Sequence, residues 1–308
     1  MSPKAELDAE VAAQKTLELA SLQDFGPPIT LSRPRIWRAP LIFASPHAGD
    51  IYPARFLARS GLSLPQLRAN EDALIDQLFA PAVHIGAPLL KANFPRCYVD
   101  VNRAPDELPP QWAGAPAQPS SRAQAGFGVI PLNIGPGRPI YEGPLFEAAA
   151  RLRLAALYDP YHRALTGLIS ECLARFGRAV VIDCHSMPGF AAMGTRRKDI
   201  VLGDRYGLSC APETASVFER AFQACGYSTA RNHPYAGGFV TRHYGRTAEA
   251  PLRAVETLQI EINRDLYFNP FSLAPKPKGY KQLAAHLQDI IWAASEHFSA
   301  GRETLAAE

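Results

Sequence analysis

The sequence predicts an α/β protein: one three-layer α/β/α domain with a mixed, largely parallel central sheet. Three observations carry this. Short apolar runs rich in β-branched residues recur along the chain, amphipathic helical stretches lie between several of them, and glycines stand where those helices end. At 308 residues and 47% apolar content, the chain is long enough to bury a full core.

Residues 1–35 show no core pattern and are expected to form an N-terminal surface extension, with a single catalytic domain over 36–300. The first strand is "LIFAS" (41–45), which runs into Ser45-Pro46-His47, with Gly49 two residues on. "NEDALIDQLFA" (70–80) reads as a helix with Asp72 and Asp76 four apart and so able to face one way. "CYVDV" (97–101) is a second strand, ending at Asn102-Arg103. The Pro/Ala/Ser/Gly-rich stretch 104–128 is a long surface loop, read as either a lid or a disordered insertion. "HRALTGLISECLARFG" (162–177) places Leu165, Leu168, Ile169, Cys172, Leu173 and Phe176 on one helical face and ends on Gly177. "AVVID" (179–183) and "DIVLG" (199–203) are strands. "PETASVFERAFQACG" (212–226) is a helix opened by Pro212 and closed by Gly226. "TLQIEI" (257–262) is the last strand; its alternation puts Leu258, Ile260 and Ile262 on one face and Gln259 and Glu261 on the other.

Composition narrows the function. Thirty-two Lys and Arg against 29 Asp and Glu leave a net charge of +3, too slight and dispersed for a nucleic-acid groove or an anionic membrane surface. The N-terminal stretch lacks the apolar core of a signal peptide, and no run approaches the ~18 apolar residues of a membrane span. A cytoplasmic protein acting on a small molecule is expected. Five cysteines without CxxC spacing argue against a disulfide framework and against a thiolate zinc site.

In open α/β sheets ligands sit beyond the carboxyl ends of strands, so residues leaving apolar runs are the candidates. Four runs end this way: at His47, at Asn102-Arg103, at Asp183-Cys184-His185-Ser186, and near Glu261. Two histidines and a carboxylate suit a catalytic zinc. On spacing alone the carboxylate is Asp72 or Asp76. Asp183, two residues before His185, is a candidate to orient an imidazole. Arg103, Arg242, Arg246 and the pair Arg196-Arg197 point to an anionic substrate, with Arg103 and Arg242 favoured because each follows or lies in a strand-like segment. Cys184 beside His185 is a poor nucleophile candidate, since neighbours in a strand face opposite ways.

The blocks "SPHAGDIYP", "EDALIDQLF", "YVDVNRAPDEL", "YHRAL", "VVIDCHSMPG", "DIVLGD", "GGFVTRHYG" and "LQIEINRDLY" resemble, in order and spacing, the N-formylglutamate amidohydrolase family over residues 41 to 268. The resemblance implies a fold distantly similar to zinc carboxypeptidases, with a mixed sheet between helix layers. It implies zinc on His47, Asp72 and His185, with Asp76 as the alternative carboxylate. It places Glu261 as general base, Arg103 in a catalytic role, and Asn102, Arg103, Arg242 and His243 around the substrate. The implied reaction is hydrolysis of the N-acyl amide of an acidic amino acid, first of all N-formyl-L-glutamate to formate and glutamate. A metallo-carboxypeptidase or other N-acyl-amino-acid hydrolase is the alternative, and a non-catalytic binding protein for acidic metabolites a third reading.

Overall fold

The computed structural model describes residues 2–112, 115–191, 194–246 and 254–305. A seven-stranded sheet is built from β1 (Ile29–Ser32), β2 (Leu41–Ser45), β3 (Leu89–Ala92), β4 (Ala179–Met187), β5 (Ile200–Gly203), β6 (Thr229–Arg231) and β7 (Val255–Asn263), in the spatial order β1-β3-β2-β4-β7-β5-β6. β2 pairs parallel to β3 and β4, β4 parallel to β7, and β5 parallel to β6, while β7 and β5 pair antiparallel. The sheet is thus mixed and largely parallel, as the sequence predicts. Every residue of β2 and β4 is buried, which is why these strands read as continuous apolar runs rather than as alternating ones.

The long helices are α1 (Pro3–Gln23), α2 (Asp159–Phe176), α3 (Pro212–Ala224) and, after a short α4 (Phe239–Tyr244), α5 (Pro277–Leu305). Gly177 and Gly226 follow α2 and α3 with φ of 72° and 85°, the left-handed conformation that a side chain resists. Among the described residues no helix is long and apolar enough to cross a membrane.

The chain packs as two compact units interleaved in sequence: residues 1–30, 47–71 and 92–163 form one, and 31–46, 72–91 and 164–308 the other. The second holds nearly all of the sheet. In the first, α1 opens on Ser2, whose hydroxyl caps Ala5 N–H, with Pro3 at the first helical position. Its buried residues are polar: Gln14, Glu18 and Ser21. Glu18 grips Arg153 with two hydrogen bonds of 2.7 and 2.9 Å and also accepts from the Tyr98 hydroxyl. Arg153 in turn donates to the Tyr141 hydroxyl at 2.6 Å and lies over the Tyr98 ring at 3.8 Å.

Two sequence expectations change here. "CYVDV" is a run of turns rather than a strand, with Tyr98 N–H bonded to Pro95 O and Asp100 N–H to Val129 O. The stretch 104–128 is folded where it is described, with a short helix Ser121–Gln124 capped by Ser120, buried Leu108, Trp112 and Ala123, and Val129 N–H bonded to Glu107 O; its residues 113 and 114 lie outside the described residues.

Candidate metal centre and active site

His185 sits near the carboxyl end of β4 and is 3% exposed. Its Nδ1 lies 3.0 Å from Asp72 Oδ2, and its Nε2 lies 3.0 Å from Asp183 Oδ2. Asp183 and His185 are two apart on a strand, so they share a face. Asp72, 1% exposed, accepts a second hydrogen bond from the Ser186 hydroxyl at 2.9 Å. Burial disfavours a charged His185 ring, but the carboxylates of Asp183, Asp72 and Glu261 outweigh it and pull its pKa well above the usual imidazole value.

Backbone geometry separates the two aspartates of "NEDALIDQLFA". The helix is a short one, Ile75–Phe79, and Leu74 before it has φ of 64°, so Asp72 and Asp76 do not share a helical face. Asp76 instead pairs with Lys91 at 2.9 Å. Of the two candidate carboxylates, Asp72 is the one at His185.

β2 delivers His47 two residues past its end. The ring is 1% exposed, and its Nε2 stands 2.7 Å from Asp100 Oδ1. Asp100 also accepts from Arg96 at 2.8 Å and from Asn102 N–H at 2.9 Å. Burial alone would raise the Asp100 pKa; Arg96, His47 and Arg103 prevail and hold it well below the carboxylate range. Gly49 is required by close approach, since a Cβ there would meet Phe94 O at 2.1 Å.

His47, Asp72 and His185 each offer a ligand atom within 4.8 Å of the others, and all three are buried. Two imidazoles and one carboxylate are the donor set of a catalytic divalent metal. Each imidazole also has its Nε2 held by a carboxylate, Asp100 for His47 and Asp183 for His185. That arrangement fixes ring orientation and raises ligand basicity at metal sites, and it leaves the Nδ1 side of each ring to face a metal. The residues fit a metal.

Glu261 stands opposite His185 in the β4–β7 register, is 7% exposed, and accepts from Gln259 Nε2 at 2.9 Å. β7 is an interior strand between β4 and β5, so Glu261 is not a solvated group at a sheet edge. Asn102 is buried at 4% exposure, and Arg103 is half-buried, its guanidinium donating to Phe127 O at 3.1 Å and Asn102 O at 3.0 Å. Burial lowers the Arg103 pKa although Asp100 opposes it.

Arg242 and His243 lie on α4, not in a strand-like segment, because "GGFVTRHY" turns helical after Gly238. Both are exposed; Arg242 lies over the Phe239 ring at 5.8 Å and His243 stacks on that ring at 4.8 Å. Arg196 pairs with Asp199 at 3.1 Å, and Arg197 donates to Pro188 O at 3.0 Å. Cys184 is fully buried, donates to Ile182 O, and has its thiol pKa pushed well up by burial, the reverse of what a nucleophile needs. Three supporting residues had no assigned role in the sequence reading: Asp100, Ser186 and Gln259. The spacing of two on β7 carries a signal for Gln259; nothing in the sequence pairs Asp100 with His47 or Ser186 with Asp72.

The profile of the N-formylglutamate amidohydrolase family matches residues 39–268. The chain is 33% identical over 240 residues to an N-formylglutamate deformylase of Pseudomonas aeruginosa, covering 75% of this chain and 83% of that protein. It is 31% identical to the N-formylglutamate deformylase of Pseudomonas putida, over 75% of this chain and 82% of that one. Among solved structures, the crystal structure of N-formylglutamate amidohydrolase from Ralstonia eutropha JMP134 superposes with a TM-score of 0.82 at 34% identity, covering 89% of this chain and 99% of that chain. The gene product Atu2144 from Agrobacterium tumefaciens shares the fold, with a TM-score of 0.63 at 21% identity over 88% of this chain and 96% of that one. With a family profile spanning most of its length and relatives above 30% identity on either side of that comparison, the chain belongs to the N-formylglutamate amidohydrolase family.

Proposed function

We propose that this protein is a zinc-dependent amidohydrolase that cleaves N-formyl-L-glutamate to formate and L-glutamate, with His47, Asp72 and His185 as metal ligands. The observation that carries the reading is the buried His–Asp–His cluster with Glu261 in register beside His185. The names of the relatives at 33 and 31% identity support the substrate.

A divalent metal held there supplies a Lewis acid for the acyl carbonyl and makes a nucleophile of water near neutral pH. The protein's own groups do the rest. The Glu261 carboxylate takes the proton from the attacking water and passes it to the amide nitrogen as the C–N bond breaks. Gln259 fixes that carboxylate through its 2.9 Å hydrogen bond. The Arg103 guanidinium, next to Asn102, binds a substrate carboxylate, a role suited to its planar, charge-assisted donors. Arg242 and His243, exposed on α4, are proposed to contact the substrate from that helix.

Formate release from N-formyl-L-glutamate by zinc-loaded and chelator-treated protein tests the reading. Hydrolysis that depends on stoichiometric metal is expected. Undiminished hydrolysis after complete metal removal refutes the metal chemistry, and a preference for C-terminal peptide cleavage over N-formyl amides refutes the substrate.

A further inference from the structure

The block "YHRAL" (161–165) is unaccounted for by the metal ligands, the base or the arginine clamp. Its histidine belongs to a contact pattern that begins one helical segment earlier. Between the helix Glu147–Arg153 and α2, residues Leu154–Tyr158 form a π-helical turn, closed by Asp159 N–H bonding Leu154 O five residues back. Single π turns inside α-helices are rare and recur at functional sites.

Here the turn has a geometric effect. In an α-helix at about 100° per residue, positions five apart diverge by roughly 140° around the axis. Closing i to i+5 brings them back to one side. Arg153 and Tyr158 are five apart across the π turn, and Tyr158 and His162 are four apart on the α-helix that follows. All three reach the main chain of one short segment. Arg153 Nη1 donates to Tyr98 O at 3.4 Å, Tyr158 Oη to Arg103 O at 2.9 Å, and His162 Nε2 to Val101 O at 3.0 Å. A carbonyl only accepts, so His162 carries its proton on Nε2. The rings of Tyr158 and His162 lie 4.3 Å apart and brace each other.

The segment they hold, Tyr98 to Arg103, has no strand partners to fix it, being a run of turns. It carries Asp100, which grips His47, and the Asn102-Arg103 pair. We propose that Tyr158 and His162, aligned by the π turn, are positioning residues that fix the Val101–Arg103 main chain and thereby aim the Arg103 guanidinium at the substrate carboxylate. This rests on the reading of Arg103 given above.

The test uses the zinc-loaded full-length protein, with Tyr158→Phe and His162→Phe. Each keeps its ring and loses one donor. Because binding to Arg103 is made in both ground and transition states, KM for N-formyl-L-glutamate is expected to rise about three- to tenfold in each variant, the loss of one neutral hydrogen bond, with kcat close to wild type and zinc content unchanged. In an Arg103→Ala background the same substitutions are expected to add nothing further to KM. A fall in Tm with wild-type KM in both variants shows a merely structural role and overturns the proposal. So does a full additional KM increase in the Arg103→Ala background. If Arg103→Ala alone keeps the wild-type KM, the carboxylate-clamp reading itself falls, and the inference with it, a result separate from the others.

Discussion

Glu261→Gln removes one charge from the centre of the sheet while hardly changing its shape. The side chain it replaces is 7% exposed on β7, across from His185, and accepts from Gln259 Nε2 at 2.9 Å. A glutamine keeps an oxygen to receive that bond, so the neighbouring strand pairing has no reason to change. What disappears is the proton acceptor, because an amide does not take a proton from water near neutral pH. A general base contributes about 10²–10⁴-fold, which at 1.36 kcal/mol per tenfold is about 2.7–5.4 kcal/mol of barrier. Three measurements on the same preparation separate the possibilities: zinc by atomic absorption, Tm by calorimetry, and formate release at several substrate concentrations. Zinc content and Tm are expected to stay near wild type while kcat and kcat/KM fall together by that factor. Turnover within twofold of wild type would refute the assignment of Glu261 as base, and loss of zinc would make it a ligand instead.

Asp100→Asn leaves His47 Nε2 without its carboxylate, so metal affinity is expected to drop about 10–100-fold in a chelator competition assay while the chain stays folded. Asp183, Asp72 and Glu261 raise the His185 pKa above the usual imidazole value, so zinc uptake near neutral pH is expected to release protons, read by calorimetry in buffers of differing ionisation enthalpy. The same elevated pKa stabilises the metal-free fold fully below about pH 6.5 and progressively less as pH rises toward the folded value, so metal-free Tm should decline above that pH and His185→Gln should flatten the slope. N-Formyl-L-methionine lacks the side-chain carboxylate and should lose about 1.5–3 kcal/mol in kcat/KM relative to N-formyl-L-glutamate; equal turnover would remove the arginines from recognition. Cys184→Ser should retain zinc and turnover, because that thiol is buried and held protonated.

The strands most legible in the sequence are those buried on both faces. "LIFAS", "AVVID" and "DIVLG" stand out as apolar runs and "TLQIEI" by its alternation, and all four lie in the sheet. β1, β3 and β6 are three or four residues long, and their identity as strands comes from the partners they meet. "CYVDV" has strand composition yet forms turns, because its backbone groups are satisfied by Pro95, Val129 and the side chains of Arg153 and His162 rather than by a ladder. α1 is not legible in the sequence because its buried side chains are polar and no apolar stripe marks it. At the site, strand ends with histidine were sufficient to nominate His47 and His185. Choosing between Asp72 and Asp76 required the positive φ of Leu74, which no residue type there announces.

The buried pair of Glu18 and Arg153 joins residues 135 apart in the chain. During synthesis at about 5–20 residues per second, Glu18 leaves the ribosome roughly 7–27 seconds before its partner. For that interval α1 carries an inward-facing carboxylate without the arginine that neutralises it. The helix locks through this pair only when the arginine arrives. Once locked, removing either partner strands a buried charge at a cost of about 3–5 kcal/mol, so trimming the chain past Glu18 is expected to shorten the protein's lifetime in the cell without touching the His–Asp–His cluster.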